Sequence, residues 1–233
     1  MTKNVFDKKM NVLLLCGILG CILMGGSDWL MIYGDTAFQG NLAWLTVGAA
    51  HIAPWRNALA LLMAFPAVVL YALALLEIAR FMPVEKHRRT YRTLTTLGMT
   101  PWLCLHLFYI MILYLFSWLT LHASSQEALQ TCEAVFSQFG WVVALSELLM
   151  LLPFFYLFVE TVSGKTIFPR WMAVNNPLLL YVVLKLFTML LPDVPFRLAF
   201  TNGLMSESMV IWFLIFWIYS AAAEKQNKCN AGL

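Results

Sequence analysis

The sequence predicts an all-α integral membrane protein, a bundle of six transmembrane helices whose N- and C-termini both lie in the cytoplasm. Three observations predict this fold class: the composition, the number of long apolar runs and the positions of the basic residues. Hydrophobic residues make up 61% of the chain and charged residues only 12%, whereas a soluble domain carries about 25% charged residues. The mean hydropathy of +0.77 indicates the same lipid environment. The formal net charge of +3 is too small to indicate nucleic-acid binding, so we expect no nucleic-acid partner.

Six apolar runs approach the length of about 20 residues with which a helix crosses the hydrocarbon core of a bilayer. Polar connections such as PVEKHRRTYR, HASSQEALQTCE and PDVPFRLAFTNG separate them, and no linker or soluble domain interrupts the chain. The whole chain, 1–233, is therefore predicted to be a single polytopic membrane domain. The predicted spans are residues 11–33, 57–81, 98–121, 136–159, 177–192 and 205–223.

A cleaved signal peptide is the main alternative for the first run, because MTKNVFDKK resembles a basic n-region. The apolar stretch that follows is longer than the 7–15 residues usual for the h-region of a signal peptide. Five more runs come after it, so we expect a membrane helix that stays in the mature chain.

The basic residues alternate between the two sides of the six predicted spans. Cytoplasmic segments carry more Lys and Arg than outer ones in membrane proteins. With the N-terminus inside, the outer segments hold only Arg56 and Arg197. We therefore expect six spans with both termini inside, and we expect the protein to lie in the cytoplasmic membrane of a bacterium. The cytoplasmic segments then hold Lys3, Lys8, Lys9, Arg80, Lys86, Arg88, Arg89, Arg92, Lys165, Arg170, Lys225 and Lys228.

Asp28 stands in the apolar stretch CILMGGSDWLMIYGD, in the predicted outer third of the first helix. A charge within a span is costly and usually faces a partner or a water-filled cavity. Gly17, Cys21 and Gly25 repeat every four residues, a pattern of small residues that allows close helix contact. Asp28 shares their face, so it is predicted to point into the bundle as a catalytic acid or base. The same small face could instead form a homodimer.

Three further residues are predicted on the outer side, near the depth of Asp28. His51 and Arg56 precede the second helix, and Glu207 begins the sixth. Together with Asp28 they would form an outward-opening pocket that binds a substrate, although headgroup solvation alone would also explain Arg56 and Glu207. The connection 34–57 is long enough to fold over this pocket as a lid or to form a short interfacial helix.

Glu147 and Lys185 are the deepest opposite charges, on the predicted fourth and fifth helices. Consecutive helices often pack together, so an ion pair is expected. Such a pair can be purely structural, or it can tune a carboxyl group for acid/base chemistry. His106, predicted toward the cytoplasmic side of the third helix, is a candidate catalytic partner. A lone histidine of this kind also serves often as a bond between helices.

Known chemical motifs do not fix a reaction. The chain has no G-x-S-x-G, H-E-x-x-H or Walker A pattern. Its five cysteines form no C-x-x-C pair or zinc spacing, so we expect no disulfide, and no motif indicates a cofactor. The four histidines are scattered over different depths, so we expect no metal, although Asp28, Asp35, His51 and Glu207 could assemble a metal site on the outer side.

Three hypotheses of different classes follow. The first is a membrane protein that binds or converts a lipid-like or isoprenoid-like molecule by acid/base chemistry at Asp28, Glu147 and His106, with His51, Arg56, Lys185 and Glu207 binding it. The second is a proton-coupled carrier or channel for a small solute. The third is a non-catalytic assembly or immunity component, in which the interior charges specify packing. We favour the first, with membrane lipids and an apolar ligand as partners.

Overall fold

In a computed structural model of the chain, every regular element of the described residues (6–34, 52–192 and 194–230) is helical. Five of the six α-helices are long and apolar enough to cross a membrane. The fifth in chain order is short. Two 3₁₀ turns, Ala79–Phe81 and Arg170–Asn175, lie in the connections. The helices are α1 Lys8–Ile32, α2 Pro54–Ile78, α3 Glu85–His122, α4 Ser125–Val162, α5 Pro177–Thr188 and α6 Pro195–Asn230.

The fifth predicted span is shorter in the structure than in the prediction. α5 has only 12 residues, about 18 Å of helix at 1.5 Å per residue, against the roughly 30 Å of a hydrocarbon core. After α5, turns formed by the backbone N–H groups of Met189, Leu190 and Leu191 replace the last residues of the predicted span.

α1 packs between α2 and α6, and small residues let these helices approach closely. A Cβ atom added to Gly17 would lie 2.7 Å from Cβ of Ala74 on α2, and one added to Gly25 would lie 3.2 Å from Cβ of Ser206 on α6. Cys21, between them, is buried. The small-residue face is thus covered by the chain's own helices, so a homodimer would need another surface.

α1 and α6 run antiparallel. Near the chain ends, Asn11 Nδ2 donates to Oε2 of Glu224, and the rings of Phe6 and Tyr219 lie 5.7 Å apart. At the opposite end of both helices, Trp29 Nε1 donates to Oε1 of Glu207 at 2.9 Å. The described beginning of α1 and the end of α6 therefore lie on the same side of the bundle.

α3 and α4 form a long antiparallel hairpin of two 38-residue helices. Gly98 sets their closest approach, because a Cβ atom there would lie 2.5 Å from the carbonyl oxygen of Leu149. The hairpin contacts α6 through the rings of Phe154 and Trp212, whose centroids are 5.8 Å apart. Beyond this contact, toward the end of the bundle that holds Asp28, the hairpin and α6 enclose a cavity.

Candidate functional site

The central cavity has a volume of about 600 Å³, and among the described residues its wall comes from α1, α3, α4, α5 and α6. Apolar and aromatic side chains form most of its wall. The ionisable side chains of the described lining are Asp28 from α1, His106 and Tyr109 from α3, Glu147 from α4 and Tyr181 from α5. The full described lining is Asp28, Met31, Ile32, Trp102, His106, Tyr109, Leu113, Ala144, Glu147, Leu148, Met150, Leu151, Leu178, Tyr181, Thr201, Asn202, Met205 and Ser206.

Asp28 is held in place by its neighbour in sequence. Ser27 is fully buried, and its hydroxyl donates to the carbonyl oxygen of Ala60 on α2 at 3.0 Å. Ser27 faces α2 and Gly25 faces α6. The side chain of Asp28, the residue after Ser27, is therefore directed between α6 and α3. Asp28 is 9% exposed at that position and lines the cavity.

His106 meets Asp28 across the cavity wall. Its Nε2 atom lies 3.1 Å from Oδ1 of Asp28, and the residue is only 8% exposed. The contact has ion-pair distance without the alignment of a linear hydrogen bond, so Nε2 still lacks a well-directed acceptor. The indole of Trp102, 6.0 Å from the imidazole centroid, packs beside it and stacks in turn on Tyr71.

The level of His106 differs from the prediction, which placed it toward the cytoplasmic side and Asp28 in the outer third. α3 begins at Glu85, well before the predicted span at residue 98. Measured from the helix starts, both Asp28 and His106 lie roughly 30 Å along their helices. Because the two side chains are in contact, they lie at one level of the bundle, and the two different depths predicted for them do not hold together.

Glu147 occupies the α4 side of the same cavity. Its neighbour Ser146 is buried, whereas Glu147 is exposed to the cavity. Tyr109 of α3 lies within electrostatic reach of its carboxylate. Within the described part of the chain, no Lys or Arg side chain lies within salt-bridge distance of Glu147.

Lys185 does not join Glu147, contrary to the ion pair expected from the sequence. It is exposed in the last turn of α5 and does not line the cavity. α5 packs mainly on α6 and is joined to α4 at its start, where Asn176 Nδ2 donates to the carbonyl oxygen of Phe154 at 2.9 Å. The two charges are therefore separated by the gap between α4 and α5.

Glu207 and Arg56 lie outside the central cavity. Glu207 accepts a hydrogen bond from Trp29 and lines a separate groove of about 270 Å³ between α1 and α6. Arg56 donates to the carbonyl oxygens of Trp29 and Tyr33, at 3.4 and 2.7 Å, and so caps the end of α1. The structure thus does not place these two side chains with Asp28 in one pocket.

His51 and most of the expected lid, residues 35–51, lie outside the described residues. Among the described residues, no group of three or more His, Cys, Asp or Glu side chains is arranged to hold a metal ion. Trp102, Thr201, Asn202 and Ser206 line the cavity without having been predicted. The signal for two of them was present: Pro195 is a typical first helical residue, and a helix begun there includes Thr201 and Asn202.

The fold defines a class of protein: an all-helical protein with several helices long and apolar enough to cross a membrane. The chain belongs to the family of unknown function DUF6796, whose family profile matches residues 1–223. No curated protein and no solved structure matches the chain.

Proposed function

We propose that this protein binds a lipid-like or isoprenoid-like small molecule in the central cavity, and that Asp28, His106 and Glu147 act on its polar end by acid/base chemistry. One observation carries the proposal. Acid/base side chains from three different helices line a single cavity of about 600 Å³ whose remaining wall is mostly apolar and aromatic. A mostly apolar pocket with a few convergent polar groups is the usual form of a small-molecule site.

The geometry of Asp28 and His106 suits proton transfer. A carboxylate beside an imidazole orients the ring and stabilises its protonated form. The imidazole has a second nitrogen, Nδ1, for a substrate. Glu147, without a cationic partner in the described chain, is the second acid/base group on the opposite wall. Two groups on opposite sides of one bound molecule allow one to donate a proton and the other to accept one.

The gap between α4 and α5 supports entry from the bilayer. Leu148 on α4 and Tyr181 on α5 line the cavity, yet they are 60% and 37% exposed. Because these side chains line the cavity and are also exposed on the outside of the bundle, the cavity is open between α4 and α5. In a membrane this opening faces lipid tails, so an apolar molecule would reach Asp28 and His106 without crossing water.

For the topology we propose six membrane crossings with both termini in the cytoplasm. α5 and its flanking segments would make the fifth crossing. The adjacency of Phe6 and Tyr219 supports an even number of crossings, and the clustering of Lys and Arg on that side supports a cytoplasmic position. The cytoplasmic membrane of a bacterium is the location that we propose.

The binding test is mass spectrometry of lipids that remain with the protein after purification. Ala144→Trp would fill the central cavity with an indole, whereas Leu62→Trp adds the same group to an exposed position on α2. We expect wild type and Leu62→Trp to retain the same molecule and Ala144→Trp to lose it. Equal retention in Ala144→Trp would place the molecule elsewhere and contradict the proposal.

The chemical test compares lipid extracts of cells that express wild type, Asp28→Asn or Glu147→Gln. Glu85→Gln is the matched control, because Glu85 is an exposed carboxylate that pairs with Arg88 at the surface. We expect the bound molecule to be converted by wild type and Glu85→Gln and to accumulate unchanged in the two cavity variants. Unchanged conversion in both would reject acid/base chemistry. Solute flux driven by a pH gradient in proteoliposomes would instead support the carrier hypothesis.

A further inference from the structure

The charge of the central cavity limits the kind of molecule that can bind there. Asp28 and Glu147 are the carboxylates of the described lining, and none of its residues is Lys or Arg. Residues 35–51, which lie outside the described structure, also contain no Lys or Arg in their sequence. A phosphate or carboxylate headgroup would therefore meet acidic groups and no fixed cation.

The two arginines on this side of the bundle already have partners. Arg56 donates to the carbonyl oxygens of Trp29 and Tyr33 at the end of α1. Arg197 donates to the carbonyl oxygen of Leu191 at 3.3 Å. Neither side chain lines the cavity, so neither offsets the two carboxylates.

Besides the two carboxylates, the cavity is lined by a buried polar side chain, that of His106. The residue is 8% exposed, lines the cavity and has an Nε2 atom without a well-aligned acceptor. Its one charged neighbour within 4 Å, in the described chain, is Asp28.

The cavity wall also contains aromatic rings, which can bind a cation. Trp102, Tyr109 and Tyr181 line the cavity together with the two carboxylates. The faces of such rings attract cations, and Trp does so best. Carboxylates and aromatic faces in one cavity are complementary to an ammonium group, and the apolar remainder of the wall is complementary to an alkyl chain.

We infer that the molecule bound in the central cavity is a cationic amphiphile, with a protonated amine between Asp28 and Glu147 and an apolar chain toward the gap between α4 and α5. This inference rests on the proposed function and names its ligand class. It excludes phosphate-bearing lipids from the central cavity.

Three probes with the same chain, brominated at its sixth carbon so that the bromine stays near the headgroup, test the inference: 6-bromododecylamine, 6-bromododecanol and 6-bromododecyl phosphate. Bromine quenches tryptophan fluorescence on contact, and Trp102 lines the cavity. The protein would be studied in phosphatidylcholine nanodiscs near neutral pH. Quenching that is lost in Trp102→Phe reports the cavity and excludes quenching of the other tryptophans from the bilayer.

We expect the amine to bind at least about tenfold more tightly than the alcohol or the phosphate. Glu147→Gln should remove most of that preference while leaving the affinity for the alcohol within about twofold. Glu85→Gln should behave as wild type. The unchanged alcohol affinity is the readout that separates loss of a charge from loss of the fold.

The outcomes separate the inference from the proposed function. If the alcohol or the phosphate binds as tightly as the amine, the cavity takes amphiphiles and the inference of a cationic headgroup is wrong. If no probe quenches Trp102, the cavity does not bind amphiphiles, and both the proposed function and the inference fail.

Discussion

Nε2 of His106 lies 3.1 Å from Oδ1 of Asp28, and this contact connects two helices that do not pack extensively side by side. α1 packs on α2 and α6, whereas α3 packs on α4 and α2. The pair therefore joins α1 to α3 by a polar contact in the wall of the central cavity. A contact of this kind orders a site while leaving room for a ligand next to it.

The first prediction concerns the coupling of this pair. Asp28→Ala and His106→Phe should each lower the free energy of unfolding. In the double variant the loss of free energy should be smaller than the sum of the two single losses. We expect a coupling energy of about 1 kcal/mol, in the range found for polar contacts between membrane helices. Unfolding in detergent measures it. His122→Phe, at the exposed end of α3, is the matched control, and effects of Asp28→Ala and His106→Phe that simply add would contradict the contact.

The second prediction concerns the absence of an ion pair between Glu147 and Lys185. Because Lys185 is exposed and does not line the cavity, Lys185→Gln should change the free energy of unfolding by less than about 0.5 kcal/mol. Combined with Glu147→Gln, it should show no coupling beyond about 0.5 kcal/mol. A larger coupling, measured in the same detergent, would mean that α5 packs against α4 along its length.

The third prediction compares two glycines of the α3–α4 hairpin. A Cβ atom at Gly98 would lie 2.5 Å from the carbonyl oxygen of Leu149, so backbone would have to move. Gly98→Ala should therefore destabilise the protein by about 1–3 kcal/mol. At Gly140 the nearest atom would be a side-chain carbon of Phe136 at 3.5 Å, and Gly140→Ala should be neutral or stabilising by up to about 1 kcal/mol. Thermal unfolding of both variants checks the difference, and equal effects would refute the close helix contact.

The fourth prediction is a pH dependence at the N-cap of α1. Partial burial opposes ionisation of Asp7, but hydrogen bonds from Arg80 and the Met10 N–H, together with the charges of Arg80 and Lys9, lower its pKa below the usual 3.8. A carboxyl group whose pKa is lower in the folded state stabilises the protein above the unfolded pKa. That stabilisation is lost as the pH falls through the folded value.

Asp7→Asn tests this dependence. The variant should be less stable than wild type near neutral pH, by less than about 1 kcal/mol because Asp7 is partly exposed. The difference should shrink as the pH falls below about 4, because Asp7 takes up a proton first in the unfolded chain and, at lower pH, also in the folded one. Unfolding curves at several pH values measure it, and a difference that grows toward acid would have the wrong sign.

Much of the architecture could be predicted from the sequence. Apolar runs identified the six α-helices of the described residues, since the need to satisfy backbone hydrogen bonds in lipid makes long apolar segments helical. The spacing of Gly17, Cys21 and Gly25 indicated the packed face of α1, because residues four apart share one side of a helix. Asp28 follows from that face, and the structure places its carboxylate on an interior cavity.

Tertiary structure decided which charges meet. His106 lies level with Asp28 because α3 starts at Glu85, before the apolar run that was predicted as the span. Hydropathy identifies the apolar part of a helix and misses the polar turns that precede it. Glu147 faces the cavity and Lys185 does not, because α5 is short and packs along α6 rather than along α4. The register and rotation of each helix are set by contacts such as Gly98 against Leu149. Those contacts join residues distant in the chain, which local sequence patterns do not report.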